Sequence, residues 1–208
     1  MLWTLRALLL VLCLSICAQA QTRTLAIYAD LPHDLNPESS SVMHEELQRL
    51  MTPAGIEIIW KQLKDRKAGE NFDLVAVTSF AGSCAVDNPV PAVPASVSLA
   101  DTSISDGHVL PFFRIDCSRV VGMLGSQPEP ALLGRALARV AAHELYHIVA
   151  QTAEHQERGV AKASFSNHDL IAGRFDLDTW SLALMRPASV TQVAGTSAVE
   201  SESAESGR

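Results

Sequence analysis

The sequence predicts an α+β domain in which a small mixed sheet, with an edge strand, packs beside one central helix. Three observations predict it. Short runs rich in β-branched and aromatic residues surround a single amphipathic helix pattern between Thr24 and Val77. An Asp-Gly pair, Asp106-Gly107, separates two further apolar runs as a hairpin turn does. A third segment, Leu132 to Val149, is apolar on nearly every side at helical spacing and reads as a helix buried almost all round.

Taken in order, Thr24 to Tyr28 reads as a first strand. Asn36-Pro37 caps and starts a helix whose Met43, Leu47 and Leu50 share one face. The triplet His44-Glu45-Glu46 on that helix reads as a solvated face rather than a metal site. Ile56 to Trp60 is a second strand, Lys61 to Glu70 a charged connection, and Phe72 to Val77 a third strand. The three prolines between Pro89 and Pro94 mark a surface connection. Ile104 and Val109 to Ile115 flank the Ser105-Asp106-Gly107-His108 turn. Pro111, which cannot donate to a ladder, is expected to confine its strand to a sheet edge. Phe175 to Met185 reads as a terminal helix carrying Trp180, Leu182, Leu184 and Met185, ended by Pro187. From Ala188 onward the chain has almost nothing to bury and is expected to be a disordered tail.

The first twenty residues have another purpose. Arg6 precedes an apolar run from Ala7 to Cys17, and Ala18-Gln19-Ala20 is a small-residue cleavage site, the pattern of a secretory signal peptide. The run is too short to span a bilayer stably, and Ile16 before Cys17 fits a lipoprotein signal poorly. The expected organisation is a signal peptide at 1–20, one domain at 21–187 and a tail at 188–208, in a chain that is secreted or periplasmic. Cleavage removes Cys13 and Cys17 and leaves Cys84 and Cys117, which in an oxidising compartment are expected to pair. It also leaves 15 of the 16 basic residues against 23 acidic ones, a net charge of −8. That balance argues against a nucleic-acid surface. The chain has no second long apolar run and so no expected transmembrane anchor, and it is expected to be a monomer.

The most informative stretch is His143-Glu144-Leu145-Tyr146-His147. Two imidazoles four residues apart lie on one helical face about one turn apart, so both can reach a single Zn2+ ion, and Glu144 falls beside the ion's open position as a general base. Hydrolytic zinc normally takes a third protein ligand and keeps a fourth position for water. His155 is the leading choice. For it to reach the ion the chain must turn back, and Gln151 and Thr152 are the expected place. His168 and Asp169 are its rivals, followed by Glu154 and Glu157.

The run His143-Glu-Leu-Tyr-His147, with Thr152-Ala-Glu-His155, Gly159-Val-Ala-Lys-Ala163 and Ser166-Asn-His-Asp-Leu170, resembles the core of small secreted bacterial zincins related to the metzincin metallopeptidases. The chain departs from the metzincin pattern H-E-x-x-H-x-x-G-x-x-H. Ala150 stands at the glycine and Ala153 at the third histidine, and no methionine follows His155 until Met185. The resemblance implies a zincin-like fold and a zinc-dependent metallopeptidase acting on a peptide or protein substrate. The ion would be held by His143, His147 and His155, with Glu144 as catalytic base and an extended substrate paired to the edge strand. Tyr146 is a weaker choice for stabilising the oxyanion than for packing. The alternative is a non-catalytic zinc-binding or degenerate peptidase module acting as a binding protein, and a closed four-ligand site, with His155 and His168 both bound, would favour it.

Overall fold

The computed structural model describes residues 22–87, 91, 93–94, 96–125 and 127–186. The expected signal peptide and its cleavage site, Pro89 of the proline-rich connection, Pro187 and the tail from Ala188 lie outside those residues.

Five strands build one sheet: β1 (Arg23–Ala29), β2 (Ile56–Lys61), β3 (Leu74–Ala81), β4 (Ala100–Ser105) and β5 (His108–Asp116). Their spatial order is β2-β1-β3-β5-β4. The first four in that order run parallel, and β4 is antiparallel at the edge. The helices are α1 (Pro37–Met51), α2 (Cys117–Leu124), α3 (Pro130–Ala150), α4 (Asn167–Ile171) and α5 (Thr179–Met185).

Register explains which face is covered. Ile27 pairs with Trp60 on one side and Ala76 on the other, and Thr78 pairs with Phe113, so these residues point the same way. That face carries the buried Leu25, Ile27, Ala76, Phe113 and Ile115 beneath α1 and α3. The opposite face shows Val75 at 41% and Phe112 at 48% exposure. Two layers, helices on one sheet face, is the α+β arrangement expected from the sequence. Gly134 lets the helices meet, because a Cβ there would stand 2.4 Å from the Ser39 carbonyl oxygen. Ser39 Oγ donates to the Pro130 carbonyl across the same contact (2.8 Å).

Local signals account for several boundaries. Pro37 opens α1, and Asn36 Oδ1 accepts from the Glu38 N–H (2.8 Å). Asp106 and Gly107 both take positive φ, 51° and 77°, which joins β4 to β5 by the mirror-image turn that suits right-twisted strands. Cys84, after β3, is disulfide-bonded to Cys117, the first residue of α2, with Cα atoms 4.9 Å apart. On the chain-entropy argument, closing that 33-residue separation contributes about 3 to 4 kcal/mol.

Three expectations need correction. The strand carrying Pro111 is not the edge: β5 lies between β3 and β4. The proline is tolerated because pairing with β4 shifts between Thr102–Phe113 and Ile104–Val109, while pairing with β3 begins only at Phe112. Pro111 therefore sits where no ladder needs its N–H. The His44-Glu45-Glu46 triplet is solvated only at Glu45. His44 stacks on Trp60 with ring centroids 4.4 Å apart, and Glu46 pairs with Arg49 and Arg139, because α1 packs on both β2 and α3. Finally, the terminal helix starts at Thr179, where Asp178 caps the Ser181 N–H (2.7 Å). Phe175 lies ahead of it, against Phe165.

Candidate metal centre

Helix α3 runs under the sheet and presents His143, Glu144 and His147, all less than a tenth exposed. It ends where the chain was expected to turn. Gln151 adopts the left-handed conformation (φ 50°, ψ 47°), and its N–H closes on the His147 carbonyl. The turn brings the Thr152 carbonyl back onto His147, whose Nδ1–H donates to it (2.8 Å).

The returning segment holds the other histidine in the same way. Gly159 takes φ +68°, and a Cβ there would lie 2.5 Å from the Asp176 carbonyl oxygen, so a residue with a side chain would be both strained and crowded. This tight passage leaves Val160 donating to Asp176 (3.0 Å) and accepting from His143 Nδ1–H (2.8 Å).

Those two carbonyls determine the tautomers. A carbonyl oxygen can only accept, so each Nδ1 carries the proton and each Nε2 keeps a lone pair. The two Nε2 atoms face one another at 3.1 Å. Neutral imidazoles so placed have no proton to share. Burial holds both rings neutral, pulling His143 down to about 4, against a smaller opposing effect of its bond to Val160, and pulling His147 below its usual range. Two facing lone pairs fit a cation: nitrogens bound to one tetrahedral zinc at about 2.0 to 2.1 Å lie roughly 3.3 Å apart.

His155, exposed, completes the set. Its ring centroid is 5.2 Å from that of His143 and 4.9 Å from that of His147. The ligand atoms of the three all lie within 4.8 Å of one another, and among the described residues no other group of three His, Cys, Asp or Glu side chains does so. Three histidines are thus positioned to bind a metal ion, and the all-imidazole donor set suits Zn2+. The rivals lie elsewhere. Asp169 is bonded to Lys162 (2.6 Å) and closes a capping box with Ser166 at the start of α4, and His168 is exposed on that helix. Glu154 and Glu157 are exposed and outside the cluster. Tyr146 is fully buried, its hydroxyl bonded by Gln156 Nε2 (2.8 Å), which is a packing role.

Glu144 lines a cleft of about 330 Å3 together with the three histidines. Its walls are the residues around Leu99 and β4 on one side and the segment ending at Phe165 on the other. Phe165 stands edge-on to His143 at 5.5 Å. Burial pushes the Glu144 carboxyl up to about 7, opposed by a hydrogen bond from Thr102 Oγ1 (2.5 Å) and reinforced by the charge of Asp101.

Sequence reasoning does not reach several of these partners. Arg139, fully buried, donates to Glu46 (3.1 Å), to the Asp169 carbonyl (2.6 Å) and to the Ala172 carbonyl (2.7 Å), pinning α4 to α3 behind the site. A pair of arginines one turn apart inside an apolar helix, Arg135 and Arg139, is the signal that could have found it. Gly159 hints at the turn before Val160, whereas nothing in the sequence marks Thr102 or Phe165.

No family model and no curated protein matches the chain. Among solved structures it is similar to archaemetzincin from Methanopyrus kandleri, at 14% sequence identity and a TM-score of 0.49, with 82% of this chain and 96% of that chain covered. At that level of similarity, the functional reading rests on the site's own geometry.

Proposed function

We propose that the chain is a secreted or periplasmic zinc-dependent metallopeptidase, a monomer that hydrolyses peptide bonds in a peptide or protein substrate. The observation that carries the reading is the convergence of His143, His147 and His155 in one open cleft that Glu144 also lines. Three imidazole ligands leave a position for water, which separates a hydrolytic site from a closed structural one.

Zn2+ would be held by His143, His147 and His155, and when bound it supplies a Lewis acid that polarises the scissile carbonyl and acidifies a water molecule. Glu144 accepts the proton of the attacking water as its oxygen adds to the carbonyl carbon. Glu144 then delivers that proton to the amine nitrogen as the C–N bond breaks, releasing a free amine and a carboxylic acid, which keeps the water's second proton until it ionises to a carboxylate in solvent. A buried carboxylate suits this work, since desolvation raises its basicity toward the operating pH. The carbonyls of Thr152 and Val160 keep both helix histidines in the tautomer that offers Nε2.

Export is part of the proposal. It is supported by the signal-peptide pattern at 1–20 and by the Cys84–Cys117 disulfide, a bond that persists in oxidising compartments. The exported protein is expected to begin at Gln21, which N-terminal sequencing reads directly.

Glu144→Gln tests the mechanism. Digestion of a mixed peptide library by the zinc-loaded mature protein, read by mass spectrometry, identifies cleaved sequences. The variant is then expected to keep its zinc while losing about 10² to 10⁴-fold in rate. A wild type that cleaves nothing with zinc bound, or a variant that cleaves as fast as wild type, refutes the peptidase and leaves a zinc-binding protein in its place.

A further inference from the structure

We propose that Thr102, on the edge strand β4, is the positioning residue for Glu144. The proposal rests on the peptidase reading above, within which it assigns a role to a residue outside the zinc motif.

Glutamate has three rotatable side-chain bonds, and a general base works only if its oxygen is held within hydrogen-bond reach of the proton it takes. Something must therefore restrict Glu144. Among the described residues the one side chain bonded to its carboxylate is that of Thr102, whose Oγ1 donates to Oε2 at 2.5 Å. The same hydroxyl is 3.4 Å from the Glu144 carbonyl oxygen. It has one proton, and the shorter contact to the carboxylate takes it. Bonds from a hydroxyl to a carboxylate are short and about twice as strong as neutral ones, so the contact is a clamp on one oxygen. It leaves Oε1 free to face the cleft.

The backbone makes the clamp stiff. Thr102 pairs with Phe113 on β5, which is 4% exposed, and Asp101 and Ala100 continue the same ladder to Arg114 and Ile115. The register shift begins only beyond Thr102. Thr102 is thus the last residue of the regular pairing with β5. Alternation along the strand turns it toward α3, while Asp101 points outward to Arg114 (2.9 Å). A β-branched side chain on such a strand has little χ1 freedom. The edge strand that walls the cleft and the base that works inside it are tied by this one hydroxyl.

Two substitutions separate positioning from packing. Thr102→Val keeps the shape and removes the hydroxyl, whereas Thr102→Ser keeps the hydroxyl and loses a methyl. With a peptide cleaved by zinc-loaded wild type, Thr102→Val is expected to keep its zinc, hold KM within about twofold and lose on the order of 10-fold or more in kcat, with Thr102→Ser recovering most of the loss. An unchanged kcat in Thr102→Val, or equal losses in both variants, overturns the assignment. A second readout needs no substrate. Isotope-edited infrared difference spectra of wild type against Glu144→Gln isolate the Glu144 carboxyl band, which is expected to move in Thr102→Val and to stay in Thr102→Ser. A band that does not move in Thr102→Val overturns the contact itself. If wild type cleaves no peptide, the peptidase reading fails, and the infrared comparison still decides whether Thr102 holds Glu144.

Discussion

Glu144→Gln has a consequence for stability that can be worked out before any substrate is known. In the chelator-treated protein, burial raises the Glu144 carboxyl from its ordinary 4.5 to about 7. A raised carboxyl pKa means that the folded state binds the proton more tightly than the unfolded state. Its contribution is therefore fully present below about pH 4.5 and is lost as pH rises through about 7. At about 1.36 kcal/mol for each tenfold change in proton affinity, the charged carboxylate costs the fold about 3 kcal/mol above pH 7. Glutamine carries no charge and can still accept the Thr102 hydrogen bond. The variant is accordingly expected to be no more stable than wild type near pH 4 and more stable by about 3 kcal/mol at pH 8. His143 works in the opposite direction. Pulled down to about 4, its neutral form adds stability above about pH 6.5 that is lost as pH falls toward 4. The two effects offset one another in wild type between about pH 4.5 and 6.5, which is why the comparison with the variant is needed to isolate Glu144. Urea unfolding of both proteins at half-unit steps from pH 4 to 8.5, with equal m-values, measures the difference. With zinc loaded the gain should shrink, because a nearby cation favours the carboxylate. A difference that stays flat across this pH range in the chelated protein would refute the claim that Glu144 is held desolvated.

Two further outcomes are expected. Mature protein should carry about one zinc per chain by elemental analysis, and His143→Ala, His147→Ala and His155→Ala should each abolish high-affinity binding while His168→Ala keeps it; zinc retained in the first three contradicts the ligand assignment. Arg139→Ala should cost about 3 kcal/mol by urea unfolding, since it orphans the Asp169 and Ala172 carbonyls although Glu46 keeps Arg49, and a loss below about 1 kcal/mol would mean that water or rearrangement replaces those bonds.

How far the sequence could be read depended on the range of the interaction. The hairpin was legible because Asp106 and Gly107 satisfy a two-residue backbone requirement on their own. The pairing of His143 with His147 was legible because helical pitch alone places them together. His155 was legible only as one of several choices, since its position depends on Gln151 turning left-handed without a glycine. Pro111 misleads because the rule about prolines in strands assumes an unbroken ladder, and a register shift removes the requirement. Arg139 and Glu46 are 93 residues apart and Thr102 and Glu144 are 42 apart, so no local pattern could announce either contact. The fold class followed from periodicity, whereas the groups that orient the site followed from tertiary packing.

Gly159 carries this dependence furthest. The proton on the His143 ring is directed by the Val160 carbonyl, and that carbonyl is aimed by a glycine sixteen residues downstream whose missing side chain lets Asp176 pass. The helix with its two histidines is consequently not a portable cassette. Transplanted into another scaffold with both histidines and the glutamate intact, it would arrive without the two backbone acceptors that tell each imidazole which nitrogen to offer. Half of the metal centre's chemistry is encoded in a stretch of chain that contributes only one of its ligands.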